Sequence, residues 1–190
     1  HRSFYVGFAN GALWPLLHFR LGLMHFHRDD YEGYLAVNQT FAASLESVLQ
    51  PDDTVWAHDY HLIPFGRMLR ARGFHGPLGF FLHVPFVPPS MLEAMPVARE
   101  LVADLCAYDL VGFQTEEHAR DFRDCAHRML GATVDGEWVR LNGRRMRAFA
   151  DPIGIDAEAF AQEAERAAGD KLVRRVGESM VGRALIIGVD

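Results

Sequence analysis

The sequence predicts an α/β fold, a parallel sheet with helices on both faces, and three observations carry that reading. Short apolar runs at Val55–Asp59, Leu78–His83 and Leu110–Phe113 recur along the chain, each closing on a polar residue or a turn. The stretches between them carry apolar residues at offsets of three and four, the period of an amphipathic helix. Strand and helix therefore alternate, as crossover-connected parallel strands do. With 190 residues, 49% of them hydrophobic, the chain can fill a core without disulfides or a structural metal.

Taken in order, Ala12 to Phe26 is dominated by aromatic and aliphatic residues with Pro15 early, which predicts a short helix. Tyr34, Leu35, Val37, Phe41, Ala42, Leu45, Val48 and Leu49 mark a helix over Tyr31–Leu49. Pro51-Asp52-Asp53 supplies a turn before the strand ending at Asp59. Leu62 to Arg72 reads as a helix that Gly73 closes. After the strand ending at His83, Pro85-Phe86-Val87-Pro88-Pro89 cannot be regular structure, because proline removes donors and fixes φ. Ser90 with Glu93 forms a capping box opening a helix that reaches about Ala107. Leu110–Phe113 is the third strand, and a helix runs from Thr115 to Leu130. Residues 132–150 read as a hairpin turning at Asn142-Gly143, with a further strand over Ala148–Ile153. Asp156 to Glu178 is helical, and Ala184 to Val189 is a terminal strand pattern.

The formal net charge is −6, so there is no overall basic field to draw in nucleic acid or an anionic membrane. The clusters Arg67/Arg70/Arg72 and Arg144/Arg145/Arg147 read as solvated faces. No apolar run approaches the ~18 residues of a membrane helix, and no secretory signal is visible. Two cysteines, Cys106 and Cys125, sit inside helical patterns and read as buried thiols in a reducing, cytoplasmic setting. The chain does not start with Met and stops on a bare strand pattern, so it reads as a piece of a longer protein.

Ligands of an open α/β sheet bind beyond the carboxyl ends of its strands. Adjacent strands lie about 4.8 Å apart, so Asp59 and His83, each ending a strand, can face one small polar molecule. Asp59 suits hydrogen bonding from sugar hydroxyls, and Tyr60 suits donation to a phosphate. The plain alternatives are that Asp59 caps the next helix, that His58 is a core histidine, and that His83 is buried on a carbonyl. Tyr5 and Trp14, flanked by Gly7, Asn10 and Gly11, suit a sugar-stacking lip or equally a packed N-terminal segment. Ten histidines raise a metal-dependent hydrolase, with His25, His27, His58 and His61 as ligands, but no spacing matches a strong metal motif. Neither a nucleophile elbow nor a glycine-rich nucleotide loop is present.

Tyr5…Asn10…Leu13-Trp14-Pro15, Trp56-Ala57-His58-Asp59-Tyr60-His61-Leu62 and Gly79-Phe80-Phe81-Leu82-His83-Val84-Pro85-Phe86 stand together in this order. Gly112-Phe113-Gln114-Thr115, Pro152-Ile153-Gly154-Ile155-Asp156 and Gly188-Val189-Asp190 follow them. Taken together, these residues resemble the trehalose-6-phosphate synthase family, retaining glucosyltransferases that join UDP-glucose to glucose 6-phosphate. The resemblance implies the N-terminal half of a B-type glycosyltransferase. Residues 1–157 would be the acceptor-binding Rossmann-like domain, 158–182 an inter-domain helical segment, and 183–190 the first strand of a nucleotide-sugar domain. It implies Tyr5, Trp14, Asp59 and Tyr60 in the glucose 6-phosphate pocket, with Tyr5 and Tyr60 near the phosphate. His83 would contact the donor glucose near its reacting carbon, so Asp59 and His83 are the catalytic candidates. No cofactor and no metal are implied. The reaction would run by front-side attack without an enzyme nucleophile.

The family's phosphate-binding arginine and glycine-rich loop would precede His1, and its diphosphate-gripping Arg and Lys would follow Asp190. The isolated piece is therefore expected to be inactive. Synthases using another acceptor, such as glycerol 3-phosphate, pseudo-glycosyltransferases, and a non-catalytic sugar-phosphate-binding module stay open on the sequence, as does a homo-oligomeric full-length protein.

Overall fold

The computed structural model describes residues 2–50, 52–180 and 182–184. It divides into two compact units, His1–Pro152 and Ile153–Asp190.

The first unit opens on a wide, π-type helix over Arg2–Leu13 that runs straight into α1 (Trp14–Leu17). Helices of this type are normally single-turn bulges at functional sites, and this one spans 12 residues. Pro15 is the second residue of α1, at the junction of the two helical segments. The helix expected over Ala12–Phe26 thus begins ten residues earlier and stops at Leu17. Phe19, at φ 60°, then turns the chain.

The long helix α2 (Arg28–Glu46) starts and ends three residues before the expected Tyr31–Leu49. It buries Tyr31, Tyr34, Asn38 and Ala42, of which only Tyr34 and Ala42 belong to the predicted stripe, leaves Phe41 exposed, and packs along the opening helix. Strand β1 (Val55–His58) leads through a 3₁₀ turn (Tyr60–Leu62) to α3 (Phe65–Ala71), which starts after Pro64 and not at Leu62. Strand β2 (Leu78–Leu82) follows.

The helix expected from Ser90 to Ala107 is two, α4 (Pro89–Leu92) and α5 (Ala98–Leu105), separated around Pro96. A proline there has no N–H for the helix ladder. The Ser90–Glu93 capping box does not form: Pro88 holds the N-cap, and Ser90 lies inside the first turn. Strand β3 (Leu110–Phe113) matches its expected span. Helix α6 (Glu116–Leu130) is capped by Thr115, whose hydroxyl accepts from His118 N at 3.2 Å, and closes on left-handed Gly131.

Strands β4 (Thr133–Asp135), β5 (Trp138–Leu141) and β6 (Arg144–Ala150) complete the sheet. Asn142 and Gly143 have φ of 51° and 79°, the twist that a two-residue hairpin loop requires. The separate strand expected over Ala148–Ile153 is the far end of β6, which pairs with β5 on one side and β3 on the other.

The sheet order is β1-β2-β3-β6-β5-β4. The first four strands are parallel, and β5 and β4 add antiparallel. One face carries Val55, Ala57, Leu78, Phe80, Leu82, Val111, Phe113 and Ala148, all buried in the main core. There Phe113 meets Phe122 of α6 at 5.5 Å, and Phe80 meets Tyr108 at 5.0 Å. On the other face Trp56 is 65% and Leu110 is 45% exposed.

Both cysteines are free and buried, and burial pushes each thiol up to about 12. They pack as small apolar groups.

The second unit holds α7 (Ala157–Ala167) and α8 (Lys171–Ser179), capped by the carboxylates of Asp156 and Asp170. The single helix expected over Asp156–Glu178 is therefore interrupted, at Gly169-Asp170. Of the terminal strand pattern beginning at Ala184, all but that residue lies outside the described residues. No helix among the described residues is long and apolar enough to cross a membrane.

Candidate functional site

Parallel pairing sets the site's frame. His58, the last residue of β1, is opposite Phe81, and Asp59 N donates to Phe81 O at 2.8 Å. Asp59 and His83 therefore leave neighbouring strands at the same, carboxyl-terminal rim of the sheet.

At Asp59 the chain adopts φ 72°, ψ 163°, a region that glycine occupies and other residues enter at a cost of about 1–3 kcal/mol. Two backbone bonds hold the residue there: its N–H to Phe81, and its carbonyl, which accepts from Leu62 N at 3.0 Å. The side chain does not cap the turn that follows. Oδ1 is buried and has no hydrogen-bond partner. A carboxylate oxygen taken from water without a partner is unfavourable by itself, and here the backbone is strained to present it.

Tyr60 is buried, and burial, then the charge of Asp59 and the neighbouring Tyr5, pushes its phenol up to about 12. It stays protonated and donates to Asn10 Oδ1 at 2.8 Å, while its carbonyl accepts from the Tyr34 hydroxyl at 2.6 Å. The proton expected to reach a phosphate is thus already given to Asn10. Asn10 belongs to the opening helix, and its role was not legible in the sequence beyond its place in the N-terminal motif.

His61, a candidate metal ligand on the sequence, instead serves as a stacking platform. Its ring lies 5.3 Å from Tyr5 at 14°, and 4.1 Å from Tyr60. Desolvation holds it below the ordinary imidazole value despite nearby Asp59. Nε2 is buried without a partner. The structure thus brings Tyr5, which is 44% exposed, onto the Asp59–His61 segment through an aromatic stack. Trp14 stands at the mouth of α1 with its ring on His18 at 4.1 Å, and His18 Nδ1 bonds the Trp14 carbonyl at 2.7 Å.

His83 is exposed rather than buried on a carbonyl, and its Nε2 lies 2.9 Å from His58 Nδ1. His58 is likewise exposed, which overturns the core-histidine alternative. Phe81 supports His83 from the same face, with rings 4.9 Å apart. That placement needs Gly112, where a Cβ would come within 2.6 Å of the Phe81 ring. Among the described residues, no three His, Cys, Asp or Glu side chains converge as a metal ion requires.

The sheet's carboxyl-terminal rim thus presents a strained aspartate with an unpartnered carboxylate oxygen beside two paired histidines, and comparisons with known proteins give the class to which such a chain belongs. The profile of glycosyltransferase family 20 matches residues 1–190, and the chain belongs to that family. It is 46% identical over 164 residues to a trehalose-6-phosphate synthase of Cronobacter sakazakii, covering 85% of this chain and 34% of the relative. With the synthase of Sinorhizobium fredii it shares 42% over 189 residues, 99% of this chain and 41% of the relative. Among solved structures, a UDP-forming alpha,alpha-trehalose-phosphate synthase from Burkholderia xenovorans superposes with a TM-score of 0.94 at 43% identity, over 99% of this chain and 42% of its own. A second structure from that organism, in complex with glucose-6-phosphate, gives 0.91 at 42% identity, over 95% of this chain and 40% of its own. The chain thus spans about two fifths of the length of these relatives.

Proposed function

We propose that this chain carries the acceptor side of a retaining glucosyltransferase that moves glucose from UDP-glucose to glucose 6-phosphate, giving trehalose 6-phosphate. The observation that carries the reading is Asp59: a buried, unpartnered carboxylate oxygen held by strained backbone at the strand rim beside His83. The family membership and the relative solved with glucose-6-phosphate support it.

In this reading Asp59 accepts hydrogen bonds from the acceptor's hydroxyls, where its charge makes each bond stronger than a neutral one. Tyr5 and Trp14 offer ring faces at the entrance, with Tyr5 held by His61. Tyr60 serves the phosphate end by fixing Asn10, whose amide nitrogen remains as a donor. His83 reads the donor glucose. The nucleotide sugar is a substrate, and neither a cofactor nor a metal takes part. The setting is cytoplasmic, and the ligands are small molecules.

Three measurements test this. Glucose 6-phosphate should bind the chain saturably, and Asp59→Ala should abolish that binding; equal affinity in both would remove Asp59 from the pocket. The 190-residue chain alone should give no glucosyl transfer, because nothing in the residues assigned here stabilises charge on a leaving diphosphate. Trehalose 6-phosphate made by the purified chain would refute that. An acceptor panel including glycerol 3-phosphate, run on a full-length protein containing the chain, separates the hexose phosphate from its rivals.

A further inference from the structure

His58 has no part in the reading above except as a neighbour, yet its placement is specific. Its ring lies 4.6 Å from Trp56 on one side and 5.2 Å, at 23°, from His83 on the other. Its Nδ1 stands 2.9 Å from His83 Nε2. Successive strand residues alternate between faces, so Trp56 and His58 share the less covered face of the sheet. His58 pairs with Phe81 in the parallel register, and the His83 ring rests on Phe81. The two imidazoles meet because ladder geometry brings them together, and Gly112 keeps the Phe81 ring in place beneath.

A bond between two imidazoles has one chemical requirement: one ring donates N–H and the other accepts with a bare nitrogen. Whichever ring donates, Nε2 of His83 is occupied, and the tautomer of a neutral His83 is tied to that of His58. The ring nitrogen left for a ligand is Nδ1, and the flanking stack fixes the plane in which it points. An exposed histidine would otherwise sample several rotamers and both tautomers.

We propose that His58 is a positioning residue for His83: through the Nδ1–Nε2 bond it holds the His83 ring and aims His83 Nδ1 at the donor sugar. The proposal rests on the donor-side reading of His83 given above.

Two variants separate the bond from the packing. His58→Phe keeps a ring between Trp56 and His83 but deletes the bond. His58→Asn places an amide atom near the lost Nδ1 and restores a partner. In a full-length protein containing this chain, His58→Phe should lower kcat/KM for the nucleotide sugar by about 3- to 10-fold, the range of one neutral hydrogen bond. KM for the acceptor should stay unchanged, and His58→Asn should recover most of the loss. In the 190-residue chain, the Nε2 ¹⁵N resonance of His83 should move in His58→Phe, where the bond is lost, and return toward its wild-type position in His58→Asn. Unchanged donor kinetics in His58→Phe, equal losses in both variants, or a His83 Nε2 resonance unmoved in His58→Phe would each overturn the proposal. His83→Ala tells the two failures apart. If it leaves donor kinetics untouched, the donor-side reading falls and takes this proposal with it. If it lowers them while His58→Phe does not, only the positioning role is lost.

Discussion

Two aspartates stand at opposite rims of the same sheet. Asp109, just before β3, is engaged on both oxygens: Arg70 donates to Oδ2 at 2.6 Å, Leu78 N to the same oxygen at 2.9 Å, and Arg144 to Oδ1 at 3.2 Å. Asp59, just after β1, has strained backbone and a buried oxygen with no partner. Both are carboxylates next to apolar strands, and the sequence around each looks alike. Asp109 ties α3, β2 and β6 together, with its carboxylate committed to the fold. The Asp59 side chain makes no comparable tie within the fold, and its unmet hydrogen-bonding capacity is what supports the binding role proposed for it. The same contrast accounts for the arginine clusters. Arg67 pairs with Asp104, Arg70 and Arg144 with Asp109, Arg72 with Glu46, and Arg147 with Glu137, while Arg145 lies 3.5 Å over the Trp138 ring.

Substitution at the two sites should therefore separate activity from stability. The largest effect is expected at Asp59. In a full-length protein, Asp59→Asn should lower kcat/KM for glucose 6-phosphate by about 10- to 100-fold, since charge-assisted bonds of about 1.5–3 kcal/mol become neutral ones. Asp59→Gly should lose acceptor use as well, yet unfold about 1 kcal/mol later, because glycine relieves the φ 72° strain. A destabilised Asp59→Gly would show that the aspartate serves the fold after all. Asp109→Ala should do the reverse. It should destabilise by about 1–2 kcal/mol, a modest figure because the carboxylate is 42% exposed. Chemical denaturation measures it, and acceptor kinetics should not move.

The smallest effect concerns pH and His61. Burial holds its imidazole below the ordinary value, and desolvation does the same to His118. The unfolded chain then binds protons that the folded chain resists. Stability should fall as pH drops through the ordinary histidine range toward the folded values, and level off below them. His61→Phe, which preserves the ring stack on Tyr5, should flatten part of that slope in denaturation curves taken between pH 7 and 5. An unaltered slope would mean that His61 titrates as a solvated group.

Several features were legible because they are local. The apolar runs gave the three parallel strands, the Asn142-Gly143 pair gave the hairpin, and Thr115 and Gly131 bounded α6. These depend on alternation, turn chemistry and capping, which neighbouring residues decide among themselves. Where competing local signals met, the reading was less secure. Ser90-x-x-Glu93 looks like a capping box, but Pro88-Pro89 starts the helix first. Ala148–Ile153 reads as a separate strand, yet nothing between Arg144 and Ala150 breaks the backbone ladder. The opening helix was missed because its residues pair with α2 and the Tyr60–Leu62 turn, contacts made across more than twenty positions.

By itself, then, the sequence determined that a parallel α/β sheet forms and that position 59 and position 83 end neighbouring strands, because strand order and period are written in the apolar pattern. Only the tertiary structure decided that Tyr60 gives its proton to Asn10, that Tyr5 lies on His61, and that His58 grips His83. Those are contacts between residues separated by 25 to 56 positions, set by parallel register and by which ring fills which space, and no local pattern encodes them.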